Sequence, residues 1–219
     1  DKTSYDVTTS MELGKFIPEK AGIRVPVFFE YAEDYVKPQY TPLDPDVLYV
    51  NGVEGAPKET KDSLTRASQD YTRRKSLNFT NVKKTKTGKG GKNHIYDIEN
   101  LSATYAYTEI YHRNYDIEYS LTKTYQGILG YAFSNQPKPV EPFKKMKFLS
   151  SPYLKLVKDF NFNYAPSSLS VRAVIDRMYS EQQLRNNTGL GFKIDPTFFK
   201  TYRMSRFYGI NWDLTKSLK

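Results

Sequence analysis

Few residues in this 219-residue chain have the types and spacing that metal chemistry requires. It contains two histidines, His94 and His112, and no cysteine, so a zinc site would have to combine distant residues beside predicted turns. The run Asp44-Pro45-Asp46 offers oxygen ligands for calcium, but Asp-Pro is ordinary turn chemistry and the full EF-hand pattern is missing. The sequence therefore predicts no metal site and no cofactor.

The residues that could form acid–base or phosphate-binding motifs also lack the spacing that such motifs require. Glu109 and Glu118 are candidates for a catalytic carboxylate pair. The predicted strand register places these two side chains on opposite faces, which separates them. Gly91 and Lys92 are followed by Asn93, so the phosphate-loop pattern is broken. We predict that the chain has no catalytic residues and is not an enzyme.

The formal net charge of +9 raises the question of a nucleic-acid partner. Neutralising phosphates requires clustered Lys and Arg. The basic residues cluster at 73–75 and 83–92, and the second cluster is interrupted by glycines. A Lys/Gly run of this kind is more typical of a solvated turn between strands. We predict no nucleic-acid partner.

The elements that would position any site are strands with two different faces. Between Leu101 and Tyr125 one face alternates tyrosine with aliphatic residues and is interrupted by Glu109 and Lys123, whereas the other face is almost wholly polar. Side chains on a strand point alternately to opposite faces, so the two faces meet different media. Tyrosine suits a boundary, because its ring is apolar while its hydroxyl needs a hydrogen-bond partner.

This pattern is typical of an outer-membrane barrel, which presents one face to lipid and the other to a wet interior. We predict an all-β fold, an antiparallel transmembrane β-barrel wall of about eight strands with long loops. The predicted strands are 4–15, 22–31, 73–85, 95–111, 115–133, 153–164, 169–183 and 202–218. The predicted lipid-facing residues are Tyr105, Tyr107, Tyr119, Leu121, Tyr208, Ile210 and Trp212. The predicted lumen-facing residues are Thr104, Asp116, Glu118, Ser120, Thr122 and Thr124.

Loops and chain ends complete this prediction. Residues 33–71 are proline-rich and read as one long inserted loop, with a short helix near 60–69. Alternation already runs at both chain ends, so we expect residues 1–219 to be part of one larger barrel domain. The predicted tight turns near Glu19, His112 and Pro166 do not fall on one side of such a barrel, which conflicts with the usual arrangement.

A soluble protein is the alternative. Only 38% of the residues are hydrophobic and the mean hydropathy is −0.67, values typical of soluble chains. Tyrosines at a period of two also fill soluble β-sandwiches or stack on sugars, so the alternative function is a tyrosine-faced module that binds glycans or a protein partner. The single phase kept over 115–133 favours the barrel, because that run spans about 60 Å at roughly 3.3 Å per residue.

The chain also resembles a known family. The segments that carry the resemblance begin at Ser4 (SYDVTTSMELGKFIPEKAGIRVPVFFEY), His94 (HIYDIENLSATYAYTEIYHRNYDIEYSLTKTYQGILGYAF), Asp159 (DFNFNYAPSSLSVRAVIDR) and Asp195 (DPTFFKTYRMSRFYGINWDLTKSLK). They are similar to the SprA family, called Sov in some members, the outer-membrane translocon of the type IX secretion system. The chain would cover a small part of that very long polypeptide.

This resemblance implies a function and a location. It implies a very large barrel in the outer membrane of a Gram-negative bacterium that exports folded proteins, reaches the cell surface and supports gliding motility. The implied partners are secreted protein cargo, a plug protein, a PorV-like outer-membrane partner and outer-membrane lipid. The resemblance transfers no catalytic residue to this chain.

Overall fold

A computed structural model describes residues 1–87, 93–144, 146, 152–188 and 191–216. Its strands are β1 Lys2–Glu12, β2 Ile23–Arg24, β3 Pro26–Val36, β4 Tyr40–Thr41, β5 Asp44–Leu48, β6 Asp70–Lys84, β7 Leu101–Arg113, β8 Ile117–Ser134, β9 Ser168–Leu184 and β10 Thr197–Asn211. Its helical segments are α1 Lys58–Ser68, α2 Lys155–Lys158, a π-helical turn Val50–Glu54 and 3-10 turns at Leu13–Phe16, Glu19–Ala21, Ile98–Asn100 and Pro152–Leu154. The all-β prediction is confirmed.

The long strands form one antiparallel meander. The eight-stranded sheet has the order β1-β3-β6-β7-β8-β9-β10, with the short β2 paired to β6, so long strands that follow each other in the chain are neighbours in space. Among the described strands, β1 pairs only with β3 and β10 only with β9, and the sheet does not close on itself. The transmembrane barrel therefore stays a prediction.

The cross-strand register fixes which side chains share a face. Directly opposed residues of antiparallel strands lie on the same face. Tyr107 on β7 is opposite Leu77 on β6 and Tyr125 on β8, and the same row continues through Arg177 on β9 to Tyr202 on β10. We call this side the tyrosine face. The reverse side, the hydroxyl face, carries the row Ser76, Thr108, Thr124, Met178 and Thr201.

A folded insertion stands at one end of the sheet. β3 ends at Val36 and β6 begins at Asp70, so the connection within the predicted loop is 37–69. It holds the β4–β5 hairpin, the π-helical turn and α1, and α1 confirms the helix predicted near 60–69. We call the end of the sheet that carries this connection the insert end, and the opposite end, where β10 finishes, the far end.

The insertion has a small core of its own. Val53 is 1% exposed, and burial of such a side chain contributes roughly 2 kcal/mol. The insertion is tied to the sheet by Arg113 on β7, which donates a hydrogen bond to the carbonyl oxygen of Arg66 at 3.1 Å. The buried residues of the insertion are Thr41, Tyr49, Val53, Ser68 and Gln69.

An ion pair joins the insertion to the end of β3 and should make its docking pH-dependent. Lys37 Nζ lies 2.7 Å from Glu54 Oε1. This contact lowers the pKa of the Glu54 carboxyl from 4.5 and raises the pKa of the Lys37 ammonium from 10.5. The stabilisation is complete above pH 4.5 and below pH 10.5. It is lost as the pH falls through the lowered pKa of Glu54 or rises through the raised pKa of Lys37.

A double-mutant cycle with Lys37→Met and Glu54→Gln, measured by equilibrium unfolding, tests this pair. We expect a favourable coupling at neutral pH that disappears in acid. A coupling of equal size in acid would mean that packing, and not charge, joins the two side chains.

One predicted strand is wrong. Residues 153–164 form a 3-10 turn and the short helix α2, and Phe162 makes only an isolated bridge with Val140. Pro152 opens this segment, and proline favours the first turn of a helix. Removing the strand moves the Pro166 turn to the far end, within the long connection 135–167 between β8 and β9, where the Glu19 turn also lies. The tight turn after His112 lies at the insert end, so the conflict over turns remains.

Strand ends shift for local reasons. β7 begins at Leu101 and not near residue 95, because Ile98–Asn100 form a 3-10 turn in which Asn100 Nδ2 donates to the carbonyl oxygen of His94 at 2.8 Å. β10 begins earlier than predicted, at Thr197. Across the described ranges, no helix has the length and apolar character needed to cross a bilayer.

Candidate functional site

A belt of tyrosines and charges crosses the tyrosine face near the insert end. Its central row runs across the sheet as Tyr31, Lys75, Glu109, Lys123 and Tyr179. The adjoining residues of the belt are Glu33, Tyr35, Tyr71, Arg73, Tyr107, Tyr111, Tyr119, Tyr125, Arg177, Glu181 and Lys200. Because neighbouring strands lie about 4.8 Å apart, these side chains form one continuous surface.

Glu109 is the electrostatic centre of the belt. Its side chain is 13% exposed and lies 3.3 Å from Arg73, 4.0 Å from Lys75 and 3.8 Å from Lys123. The Tyr107 hydroxyl donates to its other oxygen at 2.8 Å. One carboxylate on β7 therefore balances three cations from the two neighbouring strands, β6 and β8, and its loss would leave those charges close together.

Two further glutamates each accept hydrogen bonds from more than one tyrosine hydroxyl. Glu33 accepts hydrogen bonds from Tyr31 at 2.7 Å, Tyr35 at 2.9 Å and Tyr71 at 2.7 Å. Glu181 accepts from Tyr119 at 2.5 Å and Tyr179 at 2.7 Å. Each glutamate thereby satisfies phenol groups from its own strand and from a neighbouring strand. These bonds satisfy the tyrosine hydroxyls and restrict the positions of the rings.

Cations of the belt lie over its rings. Arg73 is 5.3 Å from the Tyr111 ring centre and Lys75 is 5.8 Å from that of Tyr31. Arg113 lies 5.0 Å from the Tyr71 ring centre. Such contacts attract a cation to the face of a ring without neutralising its charge.

An apolar zone follows the belt toward the far end. Its residues on the tyrosine face are Val27, Phe79, Val82, Leu101, Ala103, Tyr105, Leu129, Tyr131, Val171, Ala173, Ile175, Met204 and Tyr208. Leu129 is 63% exposed and Tyr105 is 43% exposed. Arg206 also points to this zone, from the edge strand β10. Apart from this arginine, the zone is a broad exposed patch of a kind that marks an interaction surface.

The hydroxyl face carries a groove of about 640 Å³ near the far end. Gly130 and Gly209 form its floor, because a Cβ there would lie 2.7 Å from Ser102 Oγ and 2.5 Å from Ser170 Oγ. Arg172 and Phe207 also line it. No carboxylate or histidine is among its lining residues within the described part of the chain, so the groove holds no acid–base pair.

Six of the seven predicted lipid-facing residues share one face. Tyr105, Tyr107, Tyr119 and Leu121 lie on the tyrosine face by register, as do Tyr208 and Ile210 on β10. Trp212 follows the last residue of β10, and its indole Nε1 donates to the carbonyl oxygen of Asn163 at 2.9 Å. Tyr107 and Tyr119 belong to the belt, and Tyr105 and Tyr208 belong to the apolar zone. Which medium they face stays a prediction.

Four of the predicted lumen-facing residues lie on the opposite face. These are Thr104, Ser120, Thr122 and Thr124. Asp116 lies in the turn before β8, outside any strand. Glu118 sits at an irregularity of the β8–β9 pairing and forms an ion pair with Arg185 at 2.9 Å. Their orientation toward a lumen stays a prediction.

The remaining candidate residues form no metal site. Within the described ranges, no group of three or more metal-ligating side chains is present. His112 Nδ1 lies 3.0 Å from the Thr72 hydroxyl, and the Asp44 carboxylate accepts from the backbone N–H of Asp46 at 3.3 Å as in an ordinary turn. In the basic run 83–92, residues 88–92 lie outside the described part. Lys84 pairs with Glu99 at 3.2 Å.

The sequence by itself identifies only a minority of the belt residues. Glu33, Arg73, Lys75 and Glu181 were not singled out for the tyrosine face, although a signal existed. Glu33 is two residues from both Tyr31 and Tyr35, and Glu181 is two residues from Tyr179, so on a strand each glutamate lies on the same face as those tyrosines. A tyrosine stripe interrupted by glutamate in several strands predicts hydroxyl–carboxylate bonds once the register is known.

Comparison with known proteins bears on the start of the chain. Residues 1–52 match the SprA_N family, described as motility related/secretion protein. The matched segment includes β1 and β3, the first pair of the large sheet. No curated protein matches the chain. The family match supports a SprA-like relationship at the N-terminus and a link to motility or secretion.

Proposed function

We propose that this sheet is a section of the wall of an outer-membrane protein-conducting channel, a type IX secretion translocon that exports folded proteins and supports gliding motility in a Gram-negative bacterium. In this proposal the apolar zone meets lipid and the hydroxyl face borders a wet lumen. Secreted cargo, a plug protein and a PorV-like partner would be its protein contacts. The family match over residues 1–52 supports the link to secretion and motility.

The observation that carries the proposal is the exposed apolar zone. The side chains of Leu129 and Tyr105 are exposed on the tyrosine face. Soluble proteins rarely leave a contiguous apolar surface of more than a few hundred Å² uncovered. Lipid is a medium in which such a surface is stable without a second layer of protein.

The dimensions of the zone agree with this reading. From Arg177 to Leu169 along β9 the face spans about 26 Å at roughly 3.3 Å per residue. A strand tilt of about 40° would reduce this height to about 20 Å. The apolar band of outer-membrane barrels is about 25 Å tall and is flanked by aromatic girdles. The belt has the composition of one such girdle.

Arg206 is the feature of the zone that fits lipid least. Its side chain belongs to the edge strand and is exposed. A long arginine side chain can place its apolar stem along the zone and carry the guanidinium toward water. We therefore expect Arg206 to extend along β10 when the sheet is in a bilayer.

The alternative is a soluble module that binds glycans or a protein through its tyrosines. The belt is the surface that would serve this function, because half-buried tyrosine rings there lie beside carboxylates, and both groups can contact sugars. A monodisperse chain in buffer without detergent would support it. The two functions differ in what the tyrosine face touches.

Brominated lipid tests the contact directly. Trp212 is the single tryptophan of the chain and is 47% exposed, so it is a clean reporter. We expect its fluorescence in reconstituted vesicles to be quenched by lipid with brominated acyl chains and to be only weakly quenched by acrylamide. Strong acrylamide quenching with no effect of brominated lipid would defeat the wall assignment and favour the soluble module.

A further inference from the structure

Three cations crowd around one tyrosine at the β8–β9–β10 side of the belt. Lys123, Tyr179 and Lys200 lie directly opposite one another in a row across the three strands. Arg177 is two residues from Tyr179 on the same face of β9. With neighbouring strands about 4.8 Å apart, the backbones at Lys123 and Lys200 are separated by about 10 Å.

Two of these cations lack a carboxylate partner. Arg177 Cζ lies 5.7 Å from the centre of the Tyr125 ring, and Lys200 Nζ lies 5.5 Å from that of Tyr179 and 6.0 Å from that of Phe198. Among the described residues, no carboxylate oxygen lies within 4.0 Å of Arg177 or Lys200. By contrast, Glu109 lies within 4.0 Å of each of its three cations. The rings hold the side chains without neutralising their charge, and Glu181 interacts with Lys200 only through a longer-range electrostatic contact.

The nearby carboxylate is already occupied. Glu181 accepts the hydroxyls of Tyr119 and Tyr179. Lys123 shares Glu109 with Arg73 and Lys75. This side of the belt therefore has a net positive charge, and an anion that binds there would meet donors already held in place.

We propose that Arg177 and Lys200, with Lys123 beside them, bind the phosphate groups of anionic membrane lipids. The inference rests on the proposed function, because it needs the apolar zone to lie in the bilayer. Guanidinium binds phosphate oxygens in a bidentate manner, and lysine adds a point charge.

The apolar zone determines that the anion is a lipid. Ile175 and Met204 follow Arg177 and Tyr202 directly on the same face, so an anion at the cations has an exposed apolar surface beside it. A molecule with a phosphate joined to acyl chains fits both surfaces at once, whereas a free anion would use only the cations. The proposal also places the insert end at a membrane surface, level with the phosphate groups of the lipid.

Vesicle binding tests the site. The chain is mixed with phosphatidylcholine vesicles with or without phosphatidylglycerol, and partitioning is measured by flotation. We expect Arg177→Gln to weaken the preference for phosphatidylglycerol roughly fivefold, and Arg177→Gln with Lys200→Gln to weaken it by about the square of that factor, because each such cation contributes about 1 kcal/mol near an anionic surface. Arg177→Lys should keep most of the preference.

Arg172→Gln is the matched control, because Arg172 is an exposed arginine of the same strand on the opposite face. An equal loss in Arg177→Gln and Arg172→Gln would overturn the site and indicate general attraction by the charge of +9. Displacement by inorganic phosphate at constant ionic strength would also overturn it, in favour of a free-anion site.

The two proposals fail separately. If Trp212 is quenched by brominated lipid in neutral vesicles while phosphatidylglycerol has no effect, the lipid site is wrong and the wall assignment stands. If Trp212 is quenched in neither membrane, the wall assignment is wrong and the lipid site falls with it. A far-UV spectrum of each variant matching that of the unchanged chain shows that the sheet is intact.

Discussion

Arginine in place of Leu129 should destabilise the sheet in a bilayer by about 2 to 4 kcal/mol, the cost of a charged side chain at the middle of the lipid face of a barrel. Leu129 lies in the apolar zone and is 63% exposed. In lipid its replacement would bring an unpaired guanidinium into hydrocarbon. The measurement is reversible unfolding in denaturant with the chain reconstituted in lipid vesicles.

The neighbouring residue supplies the control. Ile128 precedes Leu129 on β8 and points to the hydroxyl face. If that face borders water, Ile128→Arg should change the free energy of unfolding much less than Leu129→Arg. Equal effects of the two substitutions would contradict the assignment of one face to lipid and the other to water.

The same substitution separates the two candidate functions. If the tyrosine face belongs to a soluble module, Leu129 is already in water, and arginine there should alter stability by no more than about 0.5 kcal/mol, as at other exposed sites. A near-zero effect in buffer, with the chain monodisperse, would favour the module. The size of the effect of Leu129→Arg on the free energy of unfolding therefore decides which medium covers the apolar zone.

The positions of the long strands, and the face on which each of their side chains lies, were predictable because both depend on the local alternation of apolar and polar residues. β7 and β8 hold one phase over most of their length, and the structure pairs Tyr107 with Tyr125 as that phase requires. The short helix α1 was predictable for the same reason, since Glu59, Lys61, Asp62 and Arg66 recur at helical spacing.

Segments without a cross-strand partner were not predictable from alternation. Residues 153–164 contain apolar side chains at suitable spacing, but within the described part of the chain their one cross-strand contact is the isolated Val140–Phe162 bridge. The local preference after Pro152 favours a helical turn there. The insertion 37–69 is similar, since Tyr49 and Val53 are buried where the π-helical turn packs against α1 and β5. Tertiary contacts fix such segments.

The belt was hidden for another reason. Glu109 and Lys123 read in the sequence as interruptions of an apolar stripe. The register makes them direct neighbours, and it adds Arg73 and Lys75 from a strand distant in the chain. Charge pairing across a sheet depends on register and on strand order, and neither follows from the period of a single strand. Glu109 and Lys123, which interrupt the stripe, lie at the centre of the belt, and the tyrosines of the stripe surround them.

Removing the Glu109 carboxylate should therefore cost more than its position on a sheet surface suggests. We expect Glu109→Ala to lower the free energy of unfolding by about 2 to 3 kcal/mol, because it leaves three cations facing one another and a half-buried tyrosine hydroxyl without its acceptor. Equilibrium unfolding in the same vesicles measures the change. Glu109→Gln keeps an acceptor for Tyr107 and should lie between the unchanged chain and the alanine variant.

Glu118→Ala is the matched control for this loss. Glu118 is also paired with an arginine, Arg185, but its side chain is 53% exposed. Water replaces an exposed carboxylate well, so the cost should be about 1 kcal/mol or less. If Glu109→Ala costs no more than Glu118→Ala, the belt is a set of independent surface contacts. A clear excess at Glu109 would mean that one carboxylate holds β6, β7 and β8 together at the level where the sheet passes from charged to apolar surface.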